Sequence, residues 1–188
     1  MYRTKVNEPR WITQEEFSRL KAELPHHLAA MALFAVSTGL RKTPLTKLEW
    51  GWINKDSSHA TIPAAFMKDG KTFGLPLNSR AKIALQLVLG ENPRYVFTFR
   101  NRPITQTNTK AWRNALKRVG IENFRWHDLR STWASWHVQA GTPLPVIQKL
   151  GGWKSYEMVL RYAQLAPDHV ARYAENIFQA SQEPDFSL

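Results

Sequence analysis

At 188 residues, with 26 Lys and Arg against 15 Asp and Glu, the chain is long enough for one well-packed domain and carries a net charge of +11. Eight Trp and nine Phe exclude a disordered basic tail, and no apolar run reaches the length of a membrane span or has signal-peptide order. Zero Cys removes disulfides, thiolate nucleophiles and the common zinc sites together, and the six His are not paired with carboxylates at ligand spacing, so no metal site is expected. The positive charge is spread from Arg3 to Arg172, which predicts a folded surface with a broad basic face, a polyanion as partner, and a soluble intracellular protein.

Residues 1–12 are polar and aperiodic and read as a lead-in or linker. Thr13-x-x-Glu16 is a capping box, opening a helix with Phe17, Leu20 and Leu24 on one side. Pro25 restarts the chain, and residues 28–40 are almost wholly apolar, which predicts a helix buried on all sides. Gly39 loosens its end and Arg41 emerges there, either as an anchored cation reaching a site or as a partner of the helix dipole. Residues 50–63 alternate apolar and polar side chains around an Asp56-Ser57-Ser58 turn and read as a hairpin. Lys68-Asp69-Gly70-Lys71 forms a second turn, and Phe73, Leu75 and Leu77 mark a third strand, giving a small three-stranded antiparallel sheet.

Asn78 or Ser79 caps a helix through Leu89, stopped by Gly90. Residues 95–99 are a short extended piece, followed by the basic loop Arg100-Asn101-Arg102-Pro103. Residues 108–119 read as a helix ended by Gly120; Lys110, Arg113 and Lys117 share a face that either follows a phosphate backbone or is plain solvated surface. The next helix spans 127–140. There His127 and Arg130 are three apart and share a face, while Leu129, Trp133 and Trp136 line another that can bury, and His137 reads as structural. Residues 143–150 form a short helix ended by Gly151-Gly152, Ser155 is the expected N-cap of the next with Glu157 in its first turn, and Tyr162 lies near that helix's end. A helix over 168–178 and a polar tail over 179–188 complete an α+β, mainly α-helical domain.

Arg41 in Thr38-Gly39-Leu40-Arg41, then His127 and Arg130 in Trp126-His127-Asp128-Leu129-Arg130, then Gly152-Trp153 followed nine residues later by Tyr162 form an ordered set. Each piece is short, but in this order they resemble the catalytic signature of the tyrosine recombinases, the phage integrase family, over residues 11 to 178. The resemblance implies an integrase-type catalytic domain over 13–178 that cleaves and rejoins DNA through a covalent 3′-phosphotyrosine, serving integration or excision of a phage or mobile element. Tyr162 is then the nucleophile. Arg41 and Arg130 offer planar forks to the phosphoryl oxygens, a geometry a lysine point charge does not replicate. A free tyrosine titrates near 10, so the attacking phenol must lose a proton, with His127 the candidate base. The family uses a lysine on the turn between the second and third strands; Lys68, just before that turn, is the candidate acid for the leaving 5′ oxygen, with Lys71 its competitor.

Trp153 falls where many members carry a second His. An indole donates one hydrogen bond but does not titrate, so Trp153 either binds a phosphoryl oxygen or simply packs. Lys71, Arg100, Arg102, Lys110, Arg113, Lys117 and Arg161 are the expected DNA contacts. No cofactor or metal is expected, because the bond energy is held in the phosphotyrosine. The implied partner is double-stranded DNA, with a tetramer on two DNA sites, a monomer compatible with its absence, no membrane, and the cytoplasm of a bacterial or phage-infected cell as location.

Two departures stand out. Pro44 replaces the acidic residue usual three positions after the first arginine, leaving Asp128 to balance some charge. The N-terminal DNA-clamping and arm-binding domains usual in the family are not in the chain, so weak cleavage by it alone is expected. The rival readings are a type IB topoisomerase, which shares the chemistry, and a DNA-binding module with an inert tyrosine.

Overall fold

The computed structural model describes residues 9–166. The capping box forms: Thr13 Oγ1 accepts from the Glu16 amide and Glu16 Oε2 accepts from the Thr13 amide at 2.7 Å, opening α1 (Gln14–Glu23) with Phe17 and Leu20 buried. Pro25, in extended backbone, separates α1 from α2 (His26–Thr38), whose side chains from Ala30 to Thr38 are all buried. This helix is the spine of the molecule, because no face of it is polar enough to meet water and other elements must cover it.

After Arg41 comes the short α3 (Lys42–Thr46). Strands β1 (His59–Ile62) and β2 (Phe73–Pro76) pair antiparallel with Ala60 opposite Leu75. The first of the three expected strands contracts to one bridge, Ile53 to Ala60, because residues 50–52 wind into a 3₁₀ turn and Trp52 packs on Phe66 at 5.0 Å. Helix α4 (Ser79–Leu87) is capped by Asn78, whose side chain accepts from the Ala81 amide and donates to Ser37 O at 2.8 Å, pinning it to the end of α2. A two-residue ribbon follows, β3 (Thr98–Phe99) with β4 (Arg102–Pro103). Arg100 and Asn101 turn between them at φ of 51° and 61°, the positive-φ pair a tight hairpin needs.

The remaining helices are α5 (Lys110–Arg118), α6 (Asp128–Gln139), α7 (Leu144–Gly151) and α8 (Glu157–Leu160). Ser155 does not cap α8. The backbone is already helical at Tyr156, and the Ser155 hydroxyl instead bonds the Glu157 carboxylate, holding it below the usual carboxylate range. The expected helix over 168–178 and the tail over 179–188 lie outside the described residues.

The interior divides into two clusters. The larger one joins α1, α2, α4, the sheet, α5 and the start of α6; the smaller comprises Trp133, Ala134, Val138, Ile147, Val159 and Tyr162. Helix α6 runs through both, so residues on its first two turns lie at the seam.

At that seam α2 ends in Gly39, a left-handed cap at φ +65°. A Cβ there would lie 2.4 Å from the Trp133 ring. Gly39→Ala therefore combines a left-handed penalty with overpacking, and we expect a loss of about 2 to 4 kcal/mol. Urea unfolding measures it, and a loss under about 1 kcal/mol would mean that the indole yields freely.

Candidate active site

Two guanidinium groups meet where the end of α2, the start of α6 and the end of α7 converge. Arg130 is buried; its Nη1 donates to Gly39 O and its Nη2 to Gly151 O at 2.6 Å, and its carbon lies 4.1 Å from the centre of the Trp153 ring. Arg41 is half-buried, and both its Nη atoms lie 3.4 Å from Gly152 O. Successive carbonyls at the end of α7 thus hold one arginine each. In the sequence these glycines mark only a helix stop, and their acceptor role needs the fold. Gly151 has no room for a side chain, since a Cβ would come within 2.6 Å of Trp153.

Burial pushes Arg130 down to about 9, the charge of Arg41 adds to the effect, and Tyr162 opposes it. The guanidinium is still protonated at neutral pH, so the shift measures how poorly its charge is compensated. Its partners among the described residues are two carbonyls and an indole face. Such a pair of forks is short of an anion, and a phosphodiester supplies one.

The connection from β1 to β2 passes over the arginines. Met67 and Phe73 close on Gly152, where a Cβ would meet their side chains at 3.5 and 3.4 Å. Burial lowers the pKa of Arg41, and the Asp69 carboxylate on this turn raises it. Asp128, expected to balance the site, is otherwise engaged: it accepts from the Arg125 amide at 2.7 Å and from Arg125 Nη2 at 3.2 Å. Asp69 is therefore the acid that acts on Arg41, while Pro44 is buried beside the crevice and carries no charge. Lys68 and Lys71 flank Asp69, both exposed, and the fold brings the whole turn to the site without separating the two.

His127 precedes α6 at the lip of the site, exposed, while Arg130 one turn on is inside. Its pKa falls below 6.5, chiefly through partial burial, then Arg130, with Asp128 opposing. The imidazole is neutral at pH 7 and able to accept a proton. Trp153 lies between Trp133 at 5.8 Å and Tyr162 at 6.1 Å, so it packs and also faces the arginine. Tyr162 follows α8, is 3% exposed, and its hydroxyl donates to Ser131 Oγ at 3.3 Å. Ser131 carries no motif of its own, and the one sequence signal that points to it is its place beside Arg130 on α6.

Lys71, Arg100, Arg102, Lys110, Arg113, Lys117 and Arg161 are all exposed. They are not gathered at one point. The Arg100–Arg102 turn sits by the start of α2, where Phe99 stacks on His27 at 4.4 Å, and the helix puts about 20 Å between that end and Gly39. Lys110 and Arg113 lie nearer His127, because Asn108 at the head of α5 accepts from the Trp126 amide at 3.0 Å. Arg161 lies 5.8 Å from the Tyr162 ring.

Compared with known proteins, the model described as the phage integrase family matches residues 10–169. The integrase of Salmonella phage P22 is 41% identical over 181 residues, covering 89% of this chain and 47% of that protein. The chain spans about half the length of the curated relatives it matches. Among solved structures, the catalytic domain of bacteriophage HP1 integrase superposes with a TM-score of 0.67 at 22% identity, covering 92% of this chain and 96% of that one. A lambda integrase dimer bound to a COC′ core site gives a TM-score of 0.64 at 20% identity over 80% of this chain and 60% of that one. At these identities the likeness concerns the fold, a mainly helical integrase catalytic domain with small antiparallel sheets.

Proposed function

This chain belongs to the phage integrase family, and from that premise we propose that it is the strand-transfer domain of a site-specific DNA recombinase. The observation that carries the reading is the pair of guanidinium groups on consecutive carbonyls, short of an anion, with the Tyr162 ring 6.1 Å from the Trp153 indole that covers Arg130. In-line attack concentrates negative charge on the phosphoryl oxygens, and fixed donors stabilise that charge most where water is excluded. Tyr162 Oη bonds to phosphorus as the bond from phosphorus to the 5′ oxygen breaks. The phenolic proton goes to His127, and Lys68 gives one to the departing oxygen. Rejoining runs the same steps backward with a new 5′ hydroxyl.

The test is a nicked suicide duplex carrying the element's crossover site: a band that survives denaturing electrophoresis supports the reading, and its absence under all conditions opposes it. A partner of double-stranded DNA belongs to the same proposal, supported by the exposed cations and by the DNA-bound lambda integrase structure, and a tetramer on two sites is the assembly proposed with it.

Two further expectations follow from charge. If the dispersed cations track a backbone, the logarithm of affinity falls with the logarithm of salt with a slope of roughly 0.9 per phosphate contacted. A flat dependence would remove the backbone-tracking face. For His127, a base works only when deprotonated, so activity falls as pH drops through its pKa. Since that pKa lies below 6.5 in the free protein, the acid limb of cleavage at low DNA concentration should have its midpoint below 6.5 and vanish in His127→Gln. A limb at or above 6.5, or one that persists in the variant, assigns the base elsewhere.

A further inference from the structure

The hydroxyl of the proposed nucleophile is bonded to a serine of α6. Tyr162 belongs to the smaller core cluster and is 3% exposed, and its hydroxyl donates to Ser131 Oγ. Ser131 follows Arg130 on α6, and neighbouring residues on a helix point about 100° apart. The phenol oxygen is therefore held at the Ser131 flank of α6, its proton given to a hydroxyl and not to His127, while it stays within electrostatic reach of Arg130. A serine hydroxyl is not a base, so this contact orients the phenol without activating it. At 3.3 Å it is also longer than the usual O–H···O bond, strong enough to satisfy a buried hydroxyl and weak enough to exchange.

We propose that Ser131 is a positioning residue that parks Tyr162 in a resting orientation, and that strand cleavage requires the phenol to leave Ser131 for the phosphodiester held by Arg41 and Arg130. This rests on the strand-transfer reading for its purpose but not for its geometry. Removing the acceptor leaves the parked hydroxyl unpaired and shifts the population outward, by about three- to tenfold for one modest hydrogen bond.

The geometry is tested without DNA by tetranitromethane nitration of the full chain, read residue by residue by mass spectrometry, with Tyr95 and Tyr156 as internal controls. Ser131→Ala should raise Tyr162 nitration about three- to tenfold relative to both controls, and Ser131→Thr, which keeps the hydroxyl, should return it to the parent value. An unchanged or slower Tyr162 in Ser131→Ala, or a Ser131→Thr that behaves like Ser131→Ala, overturns the parking contact. On the suicide duplex, Ser131→Ala should form adduct faster than the parent. Slower adduct formation would make Ser131 an aid to attack and overturn the proposal. If the parent itself forms no adduct, the strand-transfer reading fails while the nitration ratios still judge the contact.

Discussion

Tyr162→Phe is expected to abolish the covalent adduct while leaving DNA affinity within about twofold, because only one oxygen is removed. The ring would stay in the smaller core cluster between Trp153 and Val159, so the fold has little to lose. What it does lose is the hydrogen bond to Ser131, worth on the order of 1 kcal/mol, against a serine that is itself only half-buried and can turn to water. A small change in unfolding free energy alongside total loss of adduct would separate chemistry from stability. Tyr156, the other tyrosine nearby, stands at the N-terminal end of α8 and is 40% exposed. Adduct formed by the Tyr162→Phe protein would move the nucleophile there, and a double variant would then be silent.

Local signals were legible wherever a backbone rule acts alone. The Thr13–Glu16 box forms as the sequence predicts, the choice between Asn78 and Ser79 for a later cap falls to Asn78, and Gly39 ends α2 in a left-handed turn. The motif order was legible too, since it names residues without needing their contacts. Legibility ended where a role depends on chain segments far apart. Gly151 and Gly152 read as a helix end, but Arg130 and Arg41 reach their carbonyls from 21 and 111 residues away. With Pro44 in place of the usual acid, Asp128 is the residue the sequence leaves to balance some charge; Arg125, three residues before it, claims it first. Asp69 looked like an ordinary turn residue until Met67 and Phe73 packed their turn on Gly152. The missing first strand has the same cause, since alternation at 50–53 does not reveal that Trp52 has Phe66 to pack on.

Lys68→Ala should cleave ordinary DNA poorly, by about 10²- to 10⁴-fold, yet recover on a strand with sulfur at the bridging 5′ position. The leaving group makes the difference. An alkoxide is very basic and needs a proton as it departs, whereas a thiolate, with a thiol pKa near 8.5 as reference, leaves unassisted. An acid is then dispensable, while the charge on the non-bridging oxygens still requires Arg41 and Arg130, whose variants should not recover. Position alone does not choose between the lysines. Both are exposed, and the turn that holds them lies against Gly152 through Met67, next to Lys68, and Phe73, two beyond Lys71. Asp69 between them acts on Arg41 without separating the two, and it is the family resemblance that favours Lys68. Lys71→Ala should therefore show a small defect of equal size on both strands. Rescue seen only with Lys71→Ala would reverse the assignment. If neither variant is rescued, the proton comes from another group, and the two lysines serve the DNA only as charge.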